Sequence, residues 1–294
     1  MEYMSTKDAS VKWGISERRI RVLCSENRIE GAFSLGKTWN IPKNAEKPFD
    51  RRFETKKKVV VFGGSCGVGE AISERFLNMH CDVVAIDKKE NTNNQIKSIV
   101  TKYDDKSIFD ACEQISEVDL LVVYPSIYLN SPITKTPIQD LNKIVDLNLK
   151  TSFYVMKHLI KKLRRNKGQI IIMSSSAGVM PEPMSPVYCM SQAALIMLGK
   201  CLAVSEGKNK VRVNTILMGP ATDSKTFTDV INEEEIANWK KLNPLGGMCE
   251  IKDFVDAVVY LSGFAGSKVN NLTGVQLSVD CGESITSQLF QGGE

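Results

Sequence analysis

Lys58-Val59-Val60-Val61-Phe62-Gly63-Gly64-Ser65-Cys66-Gly67-Val68-Gly69 decides the fold of this chain. The apolar half is short and rich in β-branched residues, which suits a buried strand. The second half is a glycine-rich turn, and a helical stretch, Val68–Leu77, follows it. A helix opening out of such a turn aims its unpaired N–H groups and positive dipole end at whatever approaches, which suits a phosphate. Gly63, Gly67 and Gly69 permit the tight turn and the close approach; Ser65, Cys66 and Val68 complete the loop.

Outward from this stretch, strand and helix signals alternate to the end of the chain. Strands are expected at Val59–Phe62, Asp82–Ile86, Leu120–Tyr124, Gln169–Ser174, Arg212–Leu217 and Val275–Val279. Helices are expected at Val68–Leu77, Ile138–Leu163, Tyr188–Val204 and Ile251–Leu261. This alternation predicts an α/β, Rossmann-type doubly wound parallel sheet over residues 58–294. Asp87 follows the second strand, 18 residues after Gly69. A carboxylate there hydrogen-bonds adenosine ribose hydroxyls and repels a 2′-phosphate, so NAD is expected as cofactor over NADP. Lys88 and Lys89 beside it work the other way. The plainer alternative is an ordinary glycine turn with a solvated Asp.

Composition narrows the class. The chain has 294 residues, 24% charged and 43% hydrophobic, and a net charge of +4. Runs such as Gln169–Met173 are too short to cross a bilayer. Two histidines and eight cysteines without a Cys-x-x-Cys pair argue against a metal site or a disulfide framework. A cytoplasmic setting is expected. The basic excess is concentrated at the start: Met1–Lys58 carries 14 Lys/Arg against 8 Asp/Glu.

That first segment reads as helix, turn, helix, hairpin over residues 1–48, with residues 49–57 as a linker. Ser5 and Asp8 form a capping box, Ala9 and Trp13 an apolar face, and Gly14 a stop. Ser16 caps a second helix, whose inner face is Ile20, Leu23 and Cys24. Arg18, Arg19 and Arg21 fall largely outside that face. Gly31–Phe33 and Thr38–Ile41 flank a turn at Ser34-Leu35-Gly36-Lys37.

From about Lys58 to Gly282 the chain resembles the short-chain dehydrogenase/reductase family. The glycine signature is Phe62-Gly63 through Gly67-Val68-Gly69. The family's active-site Asn matches Asn148, its Ser matches Ser175, and its Tyr matches Tyr188, thirteen residues after Ser175. Leu272-Thr273-Gly274 and Val279-Asp280-Cys281-Gly282 resemble its last strand. The resemblance implies that Tyr188 is the acid/base, that Ser175 polarises a substrate oxygen, and that Gly219, Ala221 and Thr222 meet the nicotinamide. It also implies a homodimer or homotetramer built through Ile138–Leu163 and Tyr188–Val204.

Departures cluster at the chemistry. Gln192 stands where the family has its catalytic Lys. Val123-Tyr124-Pro125-Ser126 replaces Asn-Asn-Ala-Gly, Met218-Gly219 replaces Pro-Gly, and Phe62 replaces Thr. The family's Lys lowers the Tyr pKa and binds the nicotinamide ribose; Gln192 keeps the hydrogen bond and loses the charge. A free Tyr is about one part in a thousand ionised at pH 7. Alcohol oxidation should therefore lose about 10²–10³-fold, and carbonyl reduction less.

Residues 1–48 resemble the winged helix-turn-helix of MerR-like and excisionase-like proteins, on Ser5–Ala9, Trp13–Ser16, Arg18-Arg19, Gly31, Gly36-Lys37, Trp39 and Ile41-Pro42. This implies double-stranded DNA as a partner, met by Ser16, Arg18, Arg19, Arg21 and, at the wing, Lys37. The alternative is a helical appendage for oligomer contacts. Two functions compete. One is an NAD(H)-responsive DNA-binding regulator with weak or no turnover. The other is an active NAD-dependent oxidoreductase acting on a small carbonyl or alcohol through Ser175 and Tyr188.

Overall fold

The computed structural model describes residues 2–36, 38–48, 56–124, 126–222, 233–264 and 269–286. The chain divides into two compact units, residues 1–55 and 56–294.

The first unit contains β1 (Tyr3–Met4), α1 (Thr6–Trp13), α2 (Glu17–Ser25), β2 (Phe33–Leu35) and β3 (Thr38–Pro42). The capping box forms: Ser5 Oγ accepts from Asp8 N at 3.2 Å and Asp8 Oδ2 accepts from Ser5 N at 3.1 Å. Gly14, at φ 63, ends α1 in the left-handed conformation that glycine reaches without strain. Ser16 caps α2 by accepting from Arg19 N at 3.3 Å. The strands form one antiparallel sheet in the order β1-β3-β2. Ala9, Trp13, Ile20, Leu23, Cys24, Ile29 and Ile41 pack as its core. Ser34 and Leu35, expected in the turn, pair with Trp39 and Thr38 instead and extend the strands toward it. Of the expected linker 49–57, residues 49–55 lie outside the described residues.

The second unit is the expected doubly wound α/β fold. Its elements are β4 (Lys58–Phe62), α3 (Gly67–Asn78), β5 (Asp82–Asp87), β6 (Lys97–Val100), α4 (Asp105–Glu113), β7 (Leu120–Val123) and α5 (Ile138–Ile144). After a π-helical turn (Val145–Lys150) come α6 (Thr151–Asn166), β8 (Gln169–Ser175), α7 (Pro186–Glu206), β9 (Arg212–Met218), α8 (Glu233–Leu242), α9 (Ile251–Ser262) and β10 (Gln276–Val279). The seven strands run β10-β9-β8-β7-β4-β5-β6, all parallel. Strand order reverses at β4 and β7, so the crevice for a ligand opens beyond their carboxyl ends. Successive β4 side chains enter opposite cores. Val59 and Val61 pack with α3 and α9 residues, while Val60 and Phe62 pack with α4 and α6 residues.

Strand β1, helix α8 and three further features escaped the sequence reading. Strand β6 mixes Lys97 and Ser98 with Ile99 and Val100 at a sheet edge, so its hydrophobic signal is weak. Helix α4 buries only Ile108, Ala111 and Cys112, and is started by Asp104, which accepts from Ser107 N at 2.8 Å. The expected helix Ile138–Leu163 is broken by the π turn, which carries Asn148. Pro186–Asn209 is, by length and composition, apolar enough to cross a membrane, with mean hydropathy 1.6, contrary to expectation. It buries Leu195, Ile196 and Gly199 against the sheet and leaves Met190, Met197 and Val204 exposed. Gly199 is required there, because a Cβ would lie 2.8 Å from Thr215 Oγ1.

Candidate active site

The glycine turn is built by close approach. A Cβ on Gly69 would stand 1.9 Å from Gly63 O, so no side chain fits. Gly63, at φ 84, donates its N–H to Ile86 O at 2.8 Å, which ties the turn to β5. Gly67 has φ 54, and a Cβ there would meet nothing within 4 Å. Cys66 begins α3 without a side-chain cap, leaving the helix N–H groups to another acceptor. Ser65 is 1% exposed, and its Oγ has no partner among the described residues.

Asp87 sits beside this turn at the end of β5, as expected, but it is already engaged. Its Oδ2 accepts from Ser65 N at 2.9 Å; its Oδ1 accepts from Lys88 N at 2.7 Å and from Tyr103 Oη at 2.8 Å. Tyr103 packs on Phe62 with ring centroids 5.0 Å apart, and Lys88 Nζ lies 5.1 Å from the Tyr103 ring centroid. Burial first, then the Asp87 charge, pushes the Tyr103 hydroxyl far up, so it stays a donor. Tyr103 carries no motif that would single it out in the sequence.

Beyond the carboxyl ends of the strands a pocket opens. It is lined by Val68, Tyr124, Ser126, Tyr128, Ser175, Glu182, Tyr188, Gln192, Gly219, Ala221, Trp239 and Glu283, among others. The structure therefore brings together Ser175, Tyr188 and Gln192, with Gly219 and Ala221 in the same lining. Tyr188 hydrogen-bonds both Ser175 and Ser126. Ser175 Oγ is oriented by accepting from Ala177 N at 3.2 Å. Burial pushes the Tyr188 hydroxyl up to about 12, and the two serine hydrogen bonds only partly oppose this. Sequence reasoning placed Tyr188 near a free tyrosine; enclosure in the pocket moves it further from ionisation. Ser126, noted only as a departure from pattern, supplies one of the two hydroxyls. Pro125 lies outside the described residues.

Gln192 is 1% exposed. Ser174 Oγ donates to its Oε1 at 3.1 Å, and its Nε2 is buried without a partner among the described residues. The buried, unpartnered Nε2 and Ser65 Oγ, with the open space at Gly67, fit a dinucleotide laid from the glycine turn to Tyr188.

The remaining expected residues are held as follows. Asn148 is fully buried and does not line the pocket. Its Oδ1 accepts from Ile127 N at 2.9 Å, and its Nδ2 donates to Ser191 Oγ at 3.1 Å. Ser191 Oγ donates in turn to Tyr188 O at 2.8 Å, so Asn148 braces the start of α7. Gly219 is required by packing, because a Cβ would lie 2.7 Å from Asp280 Cα. Thr222 is exposed and outside the pocket lining, with its N–H donating to Cys249 O at 3.1 Å. In the first unit Arg18 is exposed, and Arg21 is paired with Glu17 at 3.0 Å. Lys37 lies outside the described residues.

Two acidic residues in the pocket were not anticipated. Glu182 hydrogen-bonds Ser185 and Tyr128; burial first, then the Glu283 charge, pushes it up to about 7. Ser185 Oγ donates to Tyr128 Oη at 2.9 Å, and the Tyr128 ring meets Tyr188 edge-on at 5.0 Å. Glu283, also raised by burial, accepts from Ser176 Oγ at 2.7 Å and from Trp239. Neither glutamate belongs to a recognisable spacing.

This fold and site define an oxidoreductase architecture. The chain belongs to the short-chain dehydrogenase/reductase family: residues 63–284 match the family model described as enoyl-(acyl carrier protein) reductase. It is 27% identical over 241 residues to a 3-oxoacyl-[acyl-carrier-protein] reductase of Rickettsia typhi, covering 78% of this chain and 97% of that protein. It is 26% identical over 257 residues to an NAD-dependent glycerol dehydrogenase of Listeria innocua, covering 81% and 98%. A short-chain dehydrogenase of Leptospira borgpetersenii with bound NAD+ superposes with TM-score 0.69 at 25% identity, covering 81% and 98%.

Proposed function

We propose that this chain is an NAD(H)-dependent oxidoreductase that favours carbonyl reduction. The observation that carries the reading is Tyr188, held by Ser175 and Ser126 with its hydroxyl raised to about 12 beside the unpartnered Gln192 Nε2. A bound NADH would supply the hydride, and NAD+ would accept it. The α3 N-terminus and the Gly63–Gly69 turn would hold the pyrophosphate, and Asp87 the adenosine ribose. Gln192 Nε2 would donate to the nicotinamide ribose. Ser175 polarises the substrate oxygen, and neutral Tyr188 gives it a proton. With Tyr188 near 12, only about one molecule in 10⁵ holds tyrosinate at pH 7, so the oxidative direction is starved of its base. The NAD named for the Listeria relative and bound in the Leptospira structure supports the cofactor choice. Calorimetry with NADH and NADPH, followed by turnover of a carbonyl panel, tests this. Tighter NADPH binding, or no turnover of any carbonyl despite bound NADH, would sink it.

A second reading concerns the first unit. Two capped helices, the left-handed Gly14 between them and the β2–β3 hairpin match what a winged helix-turn-helix needs, with Arg18 exposed on α2. In this reading α2 enters the major groove. The exposed apolar side chains Phe153, Met190, Met197 and Val204 on α6 and α7 support a homodimer or homotetramer, which would present the modules in pairs. If NADH alters DNA affinity, DNA alters NADH affinity by the same factor. A genomic-fragment retention screen at low salt, with and without NADH, is the test. No retained fragment, or retention unchanged in Arg18→Ala, would remove this reading and leave the enzyme.

A further inference from the structure

The described lining of the pocket around Tyr188 holds two carboxylates, Glu182 and Glu283. Among the described residues neither Lys nor Arg lines it, and position 192, where a lysine is usual, is glutamine. Glu283 is 4% exposed; it accepts from Ser176 Oγ at Oε2 and from Trp239, and its Oε1 is buried without a partner among the described residues. A buried carboxylate oxygen with no donor is costly, and it is relieved by a ligand that brings N–H groups and a positive charge. Glu182 stands in the same pocket, within electrostatic reach of Glu283.

Building on the oxidoreductase reading above, we propose that the pocket selects a carbonyl or alcohol substrate carrying a protonated primary amine. Glu283 Oε1 and Glu182 receive its N–H groups while the reacting oxygen lies at Tyr188 and Ser175. An ammonium has three donors on a compact centre, enough for both carboxylates at once. An anionic substrate meets like charge in a low-dielectric pocket once either glutamate is ionised, and is disfavoured. Met218, Pro220 and Phe254 supply apolar wall for the carbon skeleton.

The charge state of Glu182 makes the preference pH-dependent. The groups facing it are Tyr128, Ser185, Tyr188 and Glu283, with the Cys189 thiol at its backbone carbonyl. Those facing Glu283 are Ser176, Trp239 and Asp280. All are neutral or acidic, so ionisation of Glu182 as pH rises through 7 leaves a site that only a cation balances. Amine binding therefore strengthens from pH 6 to pH 8.

The test uses the full-length protein and three near-isosteric probes: 1-amino-2-propanol, 1,2-propanediol and lactate. Their binding is read by ligand-observed NMR with and without NADH, beside a separate NADH titration. The amine should bind about tenfold or more tighter than the diol, with lactate weakest. Glu283→Gln and Glu182→Gln should each cut that preference to about threefold or less, with NADH affinity unchanged. Equal binding of the three probes, or a preference surviving in both variants, overturns the proposal. If Glu283→Gln fails to fold, Glu182→Gln and the pH 6 to 8 comparison decide. Amine preference without any NADH binding would instead sink the oxidoreductase reading and leave the amine site standing.

Discussion

Tyr103 donates its hydroxyl to Asp87 Oδ1 at 2.8 Å, so the carboxylate expected to greet a ribose is already met from within the chain. With Ser65 N and Lys88 N it holds three donors against about four lone-pair positions. Tyr103→Phe should free one position: NADH affinity should hold or tighten, while stability falls by about 1–2 kcal/mol from the lost charge-assisted bond. Calorimetry and thermal melts read the two effects separately. Asp87→Ala should erase the preference for NADH over NADPH, and a preference that persists would move the credit for it away from this carboxylate.

Gln192→Lys restores a charge beside Tyr188. The ammonium favours tyrosinate, so alcohol oxidation should rise by about 10²-fold while carbonyl reduction changes little. In the wild type the oxidation rate should climb about tenfold per pH unit above neutrality without levelling off below pH 11. Steady-state rates from pH 7 to 11 check both statements. An early plateau near pH 8 would mean that Tyr188 ionises far more easily than its enclosure implies.

Glu182 ties stability to pH. Its folded pKa, about 7, lies above the ordinary carboxylate value, so the native state binds the extra proton between them. That contribution is fully present below the ordinary value and is lost as pH rises through 7. Glu182→Gln should therefore melt like wild type near pH 4 and higher than wild type at pH 8. Parallel melting curves across that range would contradict the assignment.

Gly67 and Gly69 should behave oppositely on substitution. Gly67→Asp enters open space, so the protein should fold with a backbone cost of about 1 kcal/mol while losing NADH binding to a carboxylate in the pyrophosphate path. Gly69→Ala drives a methyl into Gly63 O and should unfold or strongly destabilise the second unit. Circular dichroism paired with NADH titration separates the two. NADH binding by Gly67→Asp would remove the glycine turn from the cofactor site.

The parallel sheet, the crevice at β4 and β7, and the meeting of Ser175, Tyr188 and Gln192 were legible in residues 58–294. Buried strands are apolar, the glycine turn has one use beside a helix N-terminus, and the Ser–Tyr–Gln spacing is local to β8 and α7. Capping chemistry likewise announced α1 and α2, because Ser5, Asp8, Gly14 and Ser16 act within one helical turn. What only the tertiary structure decided depends on groups far apart in the chain. Glu182 and Glu283 are separated by 101 positions and meet in one pocket, and no spacing rule predicts a shared electrostatic field. Tyr103 reaches Asp87 across 16 residues through an unforeseen strand, β6. Asn148 matched a family position by motif, and only the tertiary structure shows what its side chain holds, Ile127 and Ser191. The raised hydroxyl of Tyr188 has the same origin: local sequence chose the residue, and enclosure by Ser126, Tyr128 and the surrounding wall decides when it gives up its proton.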